Sequence, residues 1–335
     1  MKFLLAGIVA LMLNGSLQAQ IQLLQSPVTV SLRGLDVLND SVWWVSGRNN
    51  TVAKTENGGK TWTVFLVGDT SFKTDYRDIE VLNENEVIVM GITRPAVIYK
   101  TNNSGKTWTQ TFIDSDTNTF IDAMTFWPDG SGICLADPID GKWPLLYTKN
   151  RGNGWEWLER QWWPETSANE AAFAAGGMVI RAFGKRDVIF ATGGAGKARL
   201  HISHDKGKNW ESFSSEVIGS ASSGLFAGEQ IDKNNFIAVG GDFNSPEKRE
   251  NNMSFFPVDE KGSNGTWGYR CAIRKTTGNR LIATGDSGTD ISYNMGKVWE
   301  RLSLEGFFTL DCSDNYCVFA GKGGKIGLMK LSPDQ

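Results

Sequence analysis

The sequence has few of the side chains that bind metals. It contains two histidines and four cysteines among 335 residues, without a Cys-x-x-Cys pair, whereas zinc and iron–sulfur sites need clusters of such ligands. His201 and His204 stand in a strand-like run at a spacing that puts them on opposite faces or in a turn. The loop 114–118 alternates acidic and amide residues but lacks the glycine and the final glutamate of a calcium loop. We therefore expect no metal site.

The sequence also lacks the features of nucleic-acid and nucleotide binding. Its 34 basic and 37 acidic side chains give a net charge of −3 without a basic stripe, so nucleic acid is not an expected partner. The nearest string to a dinucleotide fingerprint, Gly193 to Lys197, lies in a β-rich repeat with no helix after it. We expect no cofactor.

Long apolar runs are absent after the first residues of the chain. Lys2 is followed by an apolar run from Phe3 to Leu13 and by small residues up to Ala19, a pattern typical of a secretory signal peptide. We expect residues 1–19 to be removed and residues 20–335 to form a single domain with no integral membrane segment. The mature protein is then expected to be exported, either to the periplasm or outside the cell.

Glycine and tryptophan, by contrast, are abundant, with 38 and 13 residues. Both follow from an eight-residue stretch with a hydroxyl residue first, Asp or Asn third, Gly fifth and Trp eighth. This stretch occurs five times, at 55–62, 101–108, 148–155, 203–210 and 292–299. Strand-like runs flank it, so the stretch predicts a hairpin turn. The glycine supplies a positive φ, the Asx side chain closes the turn and the tryptophan covers it.

The spacing of the tryptophans predicts a repeated sheet. Trp62, Trp108 and Trp155 follow one another at 46 and 47 residues, and the next step, to Trp210, is 55 residues, which indicates an insertion near 161–177. The step from Trp210 to Trp299 is 89 residues, close to two periods. We expect a degenerate unit there, made of 236–241, 252–256 and 259–267, whose turn has lost the spacing of the repeated stretch.

The two ends of the repeat are incomplete in a complementary way. After Trp299 three strands follow and a fourth is missing, while residues 21–24 and 28–30 are strand-like without a unit of their own. The simplest closure gives an all-β, seven-bladed β-propeller whose last blade is completed by an N-terminal strand. Six or eight blades follow if the degenerate region is counted differently.

These turns resemble the Asp-boxes of sialidase-type propellers. Between them stand further recurring words: Val89-Met-Gly91, Ala191-Thr-Gly-Gly194, Ala238-Val-Gly-Gly-Asp242, Ala283-Thr-Gly-Asp286 and Ala320-Gly-Lys322. Together they resemble the photosystem II stability/assembly-factor-like (BNR-repeat) β-propeller family, whose exported bacterial members are often labelled oxidoreductase or glycosyl hydrolase. The resemblance extends from about Ser31 to Leu331.

The candidate ligand-binding residues lie where a propeller opens its central channel. Arg33, Arg77 and Asp122 each stand 14 residues before the end of the next strand-like run, so equivalent positions would ring the channel; Asp78 adjoins one of them, and Arg181 is a further candidate. The family resemblance adds loop residues expected on the same face: Asp137, Glu170, Asp242, Tyr269 and Arg270. No catalytic residue is assigned, because the resemblance supplies none.

Two functions remain open at this point. The favoured interpretation is a non-enzymatic binding or assembly scaffold that recognises a protein or a glycan on the channel face. The alternative is a sialidase-like glycoside hydrolase, although the Arg-Ile-Pro word of such enzymes is absent and Ser31-Leu-Arg-Gly-Leu35 stands nearest to its place. Two carboxylates about 5 to 10 Å apart over an open pocket would favour the hydrolase.

The cysteines differ in their surroundings. Cys312 and Cys317 flank a four-residue loop, so they could face each other across a hairpin and form a disulfide in an exported protein; a different strand register would leave them too far apart. Cys134 and Cys271 lie in apolar runs and are expected to be buried thiols.

Overall fold

The protein is a ring of seven antiparallel sheets. The computed structural model describes residues 20–331 apart from 93, 117, 195 and 258–262, so the predicted signal peptide lies outside the described residues. Six sheets have four strands and one has five. The first strand of each sheet contacts the first strand of the next, and the seventh contacts the first. These contacts confirm a seven-bladed β-propeller.

The strands follow the repeat along the chain, and each sheet is called a blade. The first strand, β1 (Gln22–Leu24), belongs to the last blade. Blade 1 contains β2 (Leu32–Val37), β3 (Trp43–Gly47), β4 (Thr51–Thr55) and β5 (Thr63–Leu66). Blade 2 contains β6 (Tyr76–Val81), β7 (Val87–Gly91), β8 (Ala96–Thr101) and β9 (Thr109–Asp114). Blade 3 contains β10 (Ile121–Phe126), β11 (Gly132–Ala136), β12 (Leu145–Thr148) and β13 (Glu156–Trp157).

The second half of the ring is less regular. Blades 4 and 5 share the segment in which β14 (Glu170–Ala171), β15 (Ile180–Phe183), β16 (Asp187–Ala191), β17 (Gly193–Gly194), β18 (Gly196–Ser203) and β19 (Glu211–Gly219) follow one another. Of these, β15, β16, β18 and β19 form blade 4, whereas β14 and β17 join the inner edge of blade 5. Blade 5 itself contains β20 (Ser223–Gln230), β21 (Phe236–Asp242) and β22 (Met253–Phe256).

The last two blades close the ring. Blade 6 contains β23 (Ala272–Thr276), β24 (Arg280–Gly285), β25 (Gly288–Ser292) and β26 (Glu300–Ser303). Blade 7 contains β27 (Thr309–Cys312), β28 (Tyr316–Ala320) and β29 (Ile326–Lys330), and β1 pairs with β29 as its outer strand. The predicted closure by an N-terminal strand is therefore confirmed.

The remaining elements are short. Three-residue 3-10 helices occur at Arg160–Trp162, Thr277–Asn279 and Lys322–Gly324. None of the helices in the described part of the chain has the length and apolarity needed to cross a membrane. The last segment of the degenerate unit, 259–267, lies partly outside the described residues, which exclude 258–262, and residues 263–267 are not in a strand.

The repeated turns show why this sequence forms hairpins. In the first turn, the Thr55 hydroxyl accepts the Gly59 N–H at 3.0 Å, and the Asn57 side chain accepts the Thr61 N–H at 2.9 Å. Gly59 has a φ of +80°, and the Trp62 indole donates to its carbonyl at 3.2 Å. All five turns join the third and fourth strands of a blade, so they lie on one side of the ring, which we call the box face. The opposite side, where one blade leads into the next, we call the connection face.

Candidate functional site

Four inner strands carry one extra residue near the connection face. Register shifts place this β-bulge at Arg33 in β2, Arg77 in β6, Asp122 in β10 and Phe226 in β20. The structure thus puts three of the predicted ligand-binding residues at equivalent positions. In a regular strand successive side chains point to opposite faces of the sheet, and a β-bulge changes the direction of the side chain at the extra residue. Three of the four side chains contact one and the same segment of the chain.

That segment is residues 172–178, which we call the crossing segment. It leads from β14 to blade 4 across the mouth of the central channel. The Arg33 guanidinium donates to the Ala175 carbonyl at 2.5 Å, and the Arg77 guanidinium donates to the Ala174 carbonyl at 2.7 Å. Two neighbouring blades therefore hold successive peptide groups of one extended stretch.

Two glycines allow the crossing segment to lie close to other blades. A Cβ atom on Gly176 would stand 2.3 Å from the Phe308 carbonyl oxygen. Gly177 has a φ of +71°, and its Cβ would stand 2.4 Å from an Asp78 carboxylate oxygen. Larger residues at either position would push the segment out of the mouth.

The other half of the mouth is aromatic. Phe173 of the crossing segment stacks on Phe226 with ring centroids 4.2 Å apart. Tyr269 meets Phe226 edge-to-face at 4.8 Å, and Phe243 lies 6.3 Å from both phenylalanine rings. The buried Cys271 thiol and the half-buried Ala175 complete this cluster. The mouth therefore binds main-chain carbonyls on one side and an aromatic side chain on the other.

The two arginines lie in a partly desolvated setting. Burial, followed by the charge of Arg77, lowers the pKa of Arg33, and the Arg33 guanidinium lies 4.0 Å from the Phe308 ring centroid. Arg77 pairs with Asp75 at 3.1 Å. Hydrogen bonds from guanidinium groups are stronger than those of neutral donors, which favours retention of the crossing segment.

Two carboxyl groups lie beside the arginines in blade 3. Asp122 is fully buried, and neither carboxylate oxygen has a hydrogen-bond partner among the described residues. Burial, then the neighbouring Asp137, raises its pKa well above the usual range. Burial also raises the pKa of Asp137 to about 6, against the effect of Arg94. Burial therefore favours the protonated form of Asp122.

Below the mouth, side chains bond each blade to the next; we call these contacts the lumen ring. At five of the seven junctions a side-chain oxygen accepts a backbone N–H of the following inner strand: Asp36 from Val81 (2.5 Å), Asp78 from Met124 (2.7 Å), Thr125 from Ala182 (3.1 Å), Glu229 from Lys275 (3.1 Å) and Asp311 from Val37 (2.9 Å). Ion pairs span the other two junctions, Arg181 with Glu229 and Arg274 with Asp311. Asp78 and Arg181, both predicted to face the channel for a ligand, serve this ring.

Most of the lumen ring escaped the sequence interpretation. Asp36, Glu80, Thr125 and Glu229 stand three residues after the bulge of their blade, so the repeat spacing contained a usable signal. Burial, then Asp311, raises the pKa of Asp36 to about 8. Burial, then Asp36, likewise raises the pKa of Glu80. Asp36 therefore keeps its proton near neutral pH, and burial favours the protonated form of Glu80 as well.

Glu170 is part of a buried network between blades 4 and 5. It pairs with Arg199, His201 and Thr192. Burial alone would raise the pKa of Glu170, but the bonds from His201 and Arg199 hold it well below its usual range. The Ser212 hydroxyl lies 2.8 Å from His201 Nδ1. Ser212, His201 and Glu170 therefore follow one another in the order of a nucleophile, a base and an acid. His201 is fully buried and stacks on Phe190 at 4.2 Å, so this network supports the fold.

The other predicted site residues are placed around blades 5 and 6. Arg270 is fully buried and forms a bidentate pair with Asp290 at 2.8 and 2.9 Å. Its neighbour Tyr269 lies in the aromatic half of the mouth, where burial raises the pKa of its phenol. Asp242 is half-buried at the end of β21 and accepts the Asn244 N–H at 2.9 Å. Arg270 and Asp242 therefore do not join the arginine pair, whereas Tyr269 belongs to the same channel mouth.

The cysteines and potential metal ligands are placed as follows. Cys312 and Cys317 are opposite one another in β27 and β28 and form a disulfide. Cys134 and Cys271 are free and buried. No group of three or more His, Cys, Asp or Glu side chains within the described ranges has an arrangement that could hold a metal ion.

The fold and the mouth define a class: a seven-bladed β-propeller whose channel is covered on the connection face by its own chain. Residues 14–118 match the sequence model of the family described as photosynthesis system II assembly factor YCF48. This match covers less than a third of the chain; together with the fold it makes the chain similar to the YCF48-like BNR-repeat β-propellers. No curated protein matches the chain.

Solved structures with the same fold are distant in sequence. A structure described as YCF48 bound to D1 peptide has 15% identity and a TM-score of 0.66, with 96% of this chain and 100% of that chain covered. YCF48 from Cyanidioschyzon merolae has 14% identity and a TM-score of 0.61, covering 93% and 99%. A virginiamycin B lyase from Staphylococcus aureus has 12% identity and a TM-score of 0.63, covering 93% and 99%. At these identities the similarity concerns the fold.

Proposed function

We propose that this protein is an exported, non-enzymatic scaffold that binds an extended segment of a partner protein at the channel mouth. The observation that carries the proposal is the crossing segment itself. Arg33 and Arg77 hold two successive peptide carbonyls, and Phe226 stacks on the side chain of the residue before them. The mouth therefore has the donors and the apolar surface that an extended peptide requires.

The comparisons support the same kind of ligand. One structure of similar fold is described as YCF48 bound to a D1 peptide, so a propeller of this shape can bind a peptide. The chemistry of the mouth favours a peptide over a glycan, because its present occupant is main chain with an aromatic side chain. A partner would take the place of residues 172–178.

The hydrolase alternative finds no support at this site. Glycosidic cleavage needs two carboxyl groups roughly 5 to 10 Å apart beside an open pocket. Asp78 and Asp122 are buried, and Glu170 is buried and held by three partners. None of these three carboxyl groups is therefore exposed beside an open pocket.

A peptide in trans tests the proposal. The probe is a fluorescein-labelled peptide of residues 168–179, with fluorescence anisotropy as the readout. The tethered segment competes at an effective concentration on the order of millimolar, so wild-type protein should bind the probe weakly. Phe173→Ala weakens the tethered segment and should increase probe affinity about tenfold, which corresponds to ~1.4 kcal/mol.

Two controls make this result specific. Adding Arg33→Ala and Arg77→Ala to Phe173→Ala should abolish the gain, whereas adding Arg186→Ala, an exposed arginine on the box face, should leave it unchanged. A Phe173→Ala protein that folds but ignores the probe would show that the crossing segment is a fixed part of the fold, and the proposal would fail.

A further inference from the structure

A second cavity lies far from the channel mouth, on the box face between blades 3 and 4; we call it the rim groove. Its volume is about 770 Å³, within the range of ~300–1,000 Å³ that is common for small-ligand sites. The groove has a structural cause. The outer strand of blade 3, β13, has two residues, after which the chain turns into the 3-10 helix Arg160–Trp162. The other blades with a fourth strand have outer strands of three to nine residues, so here the space between two blades stays uncovered.

Indole rings line one wall of the rim groove. Trp157 is 36% exposed, and its ring meets Trp163 edge-on at 6.4 Å. Trp162 is half-buried and also lines the groove. Indoles combine a flat apolar face with a polar N–H group. Such faces fit ligands with flat C–H surfaces and polar edges, and a sugar ring has both.

Cations stand beside these indoles. Lys149, Arg186 and Lys208 line the groove, and no ion pair engages them within the described residues. The ammonium group of Lys208 lies 5.7 Å from the Trp162 ring centroid. A cation in this position can neutralise an acidic group on a ligand that stacks on the indole.

The remaining charges of the groove are one paired lysine and three carboxylates. Lys206 is paired with Asp129, and the Asp205 carboxylate accepts the backbone N–H groups of Lys208 and Asn209 and the Asn209 side-chain amide within its own turn. Glu156 and Glu159 also line the groove. Glu156, Glu159 and Asp205 thus match Lys149, Arg186 and Lys208 in number, so an acidic ligand is favoured by the position of Lys208 beside Trp162 and not by an excess of positive charge.

We infer that the rim groove is a binding site for a short acidic saccharide, such as a segment of a uronic-acid polymer. Its sugar faces would lie on Trp157 and Trp162, and its carboxylates would pair with Lys149 and Lys208. The site is independent of the channel mouth. An acidic peptide would satisfy the cations but would leave the indole faces without a matching surface.

Calorimetric titration of the wild-type protein with a tetrasaccharide of uronic acids tests the inference. The matched probe is the same tetrasaccharide with its carboxyl groups reduced, and a hexa-aspartate peptide is the third. We expect the acidic tetrasaccharide to bind at least about tenfold more tightly than the reduced one, and its affinity to fall with added salt.

Variants locate the site. Trp157→Ala, and separately the double variant Lys149→Glu with Lys208→Glu, should each lower affinity for the acidic tetrasaccharide at least about tenfold. Two control variants lie outside the groove. Lys106→Ala changes the lysine of blade 2 that is equivalent to Lys208, and Tyr293→Ala removes an exposed aromatic ring in the turn of blade 6. Both variants should bind the acidic tetrasaccharide as wild type does. The charge-reversal variant keeps the test valid if Trp157→Ala does not fold.

Three results would overturn the inference. One is the absence of binding to the acidic tetrasaccharide at about ten millimolar, a concentration at which contacts worth ~3 kcal/mol are detectable. Another is equal binding of the acidic and reduced probes. The third is binding of hexa-aspartate without binding of any saccharide, which would reassign the groove to acidic peptides.

Discussion

Carboxyl groups inside the propeller retain protons that exposed carboxyl groups would release. Asp36 is the clearest case: it accepts the Val81 N–H and shares a hydrogen bond with Asp311. Two carboxyl groups at hydrogen-bond distance cannot both be ionised without a large cost. The lumen ring therefore depends on the protonation of its members.

This dependence gives a prediction for Asp36→Asn. The folded protein holds the Asp36 proton up to about pH 8, whereas the unfolded chain releases it near the ordinary value of 3.8. Its stabilising contribution is therefore complete below about pH 4 and is lost as the pH rises to 8. Asparagine keeps both hydrogen bonds and does not titrate. The free energy of unfolding of the variant, relative to wild type, should rise across this window, at up to ~1.4 kcal/mol per pH unit.

Urea titrations at pH 4, 6 and 8 measure this difference. Because Asp78, Glu80 and Asp122 also have raised pKa values, the comparison is between the two proteins and not within one of them. Parallel curves for variant and wild type would contradict the prediction.

Arg33 and Arg77 show what single residues reveal in a sequence. Their repeated spacing predicted equivalent positions at the channel, because the bulge recurs at a fixed distance from the next strand. Their partners could not be predicted. Ala174 lies 97 residues from Arg77 along the chain, and its backbone carbonyl has no mark in the sequence. The sequence also grouped Arg270 with these two arginines. In the structure Arg270 differs from them, because it pairs with Asp290 of the same blade and not with the crossing segment.

At the scale of elements, the repeated turn determines most of the architecture. Its hydroxyl, Asx, glycine and tryptophan each make a local bond, so the turns and the strands beside them were predictable. The irregular elements were not. The insertion after β13 was visible as a longer period, but its path across the channel depends on contacts with five distant blades.

The turn glycines allow backbone strain and steric contact to be measured separately. Gly105 has a φ of +84°, and a Cβ atom there would stand 2.8 Å from the Phe65 ring. Gly141 has a φ of +75° with no atom within 4 Å of its Cβ position. Gly141→Ala should cost about 1 kcal/mol from conformation alone, and Gly105→Ala about 1–3 kcal/mol more from overpacking. Chemical denaturation of both variants measures the difference; equal losses would show that Phe65 moves aside freely.

At the scale of the whole molecule, closure of the ring rests on β1. This strand covers the outer edge of β29, which would otherwise expose unpaired backbone groups to other chains. The sequence predicted this closure because the C-terminal unit lacked a fourth strand, whereas the N-terminal residues 21–24 were strand-like and belonged to no unit. The number of blades followed from the same count, despite the irregular fifth blade.

Removal of residues 20–26 tests the importance of this closure. The shortened protein should melt ~5–10 °C lower and should associate through the freed edge of β29. Thermal denaturation and light scattering report the two effects. Substituting the exposed Gln22 and Leu23 by serine keeps the backbone pairing and should leave both unchanged. A shortened protein that stays monomeric with an unchanged midpoint would contradict this role of β1.

The crossing segment also separates the two sides of the molecule. It covers the axis on the connection face, and the rim groove opens on the box face, so a ligand on one side does not compete for space with a ligand on the other. If both proposed sites are occupied, the propeller would hold a peptide on the connection face and a saccharide on the box face at the same time, and would link a protein to a polysaccharide without movement of its blades.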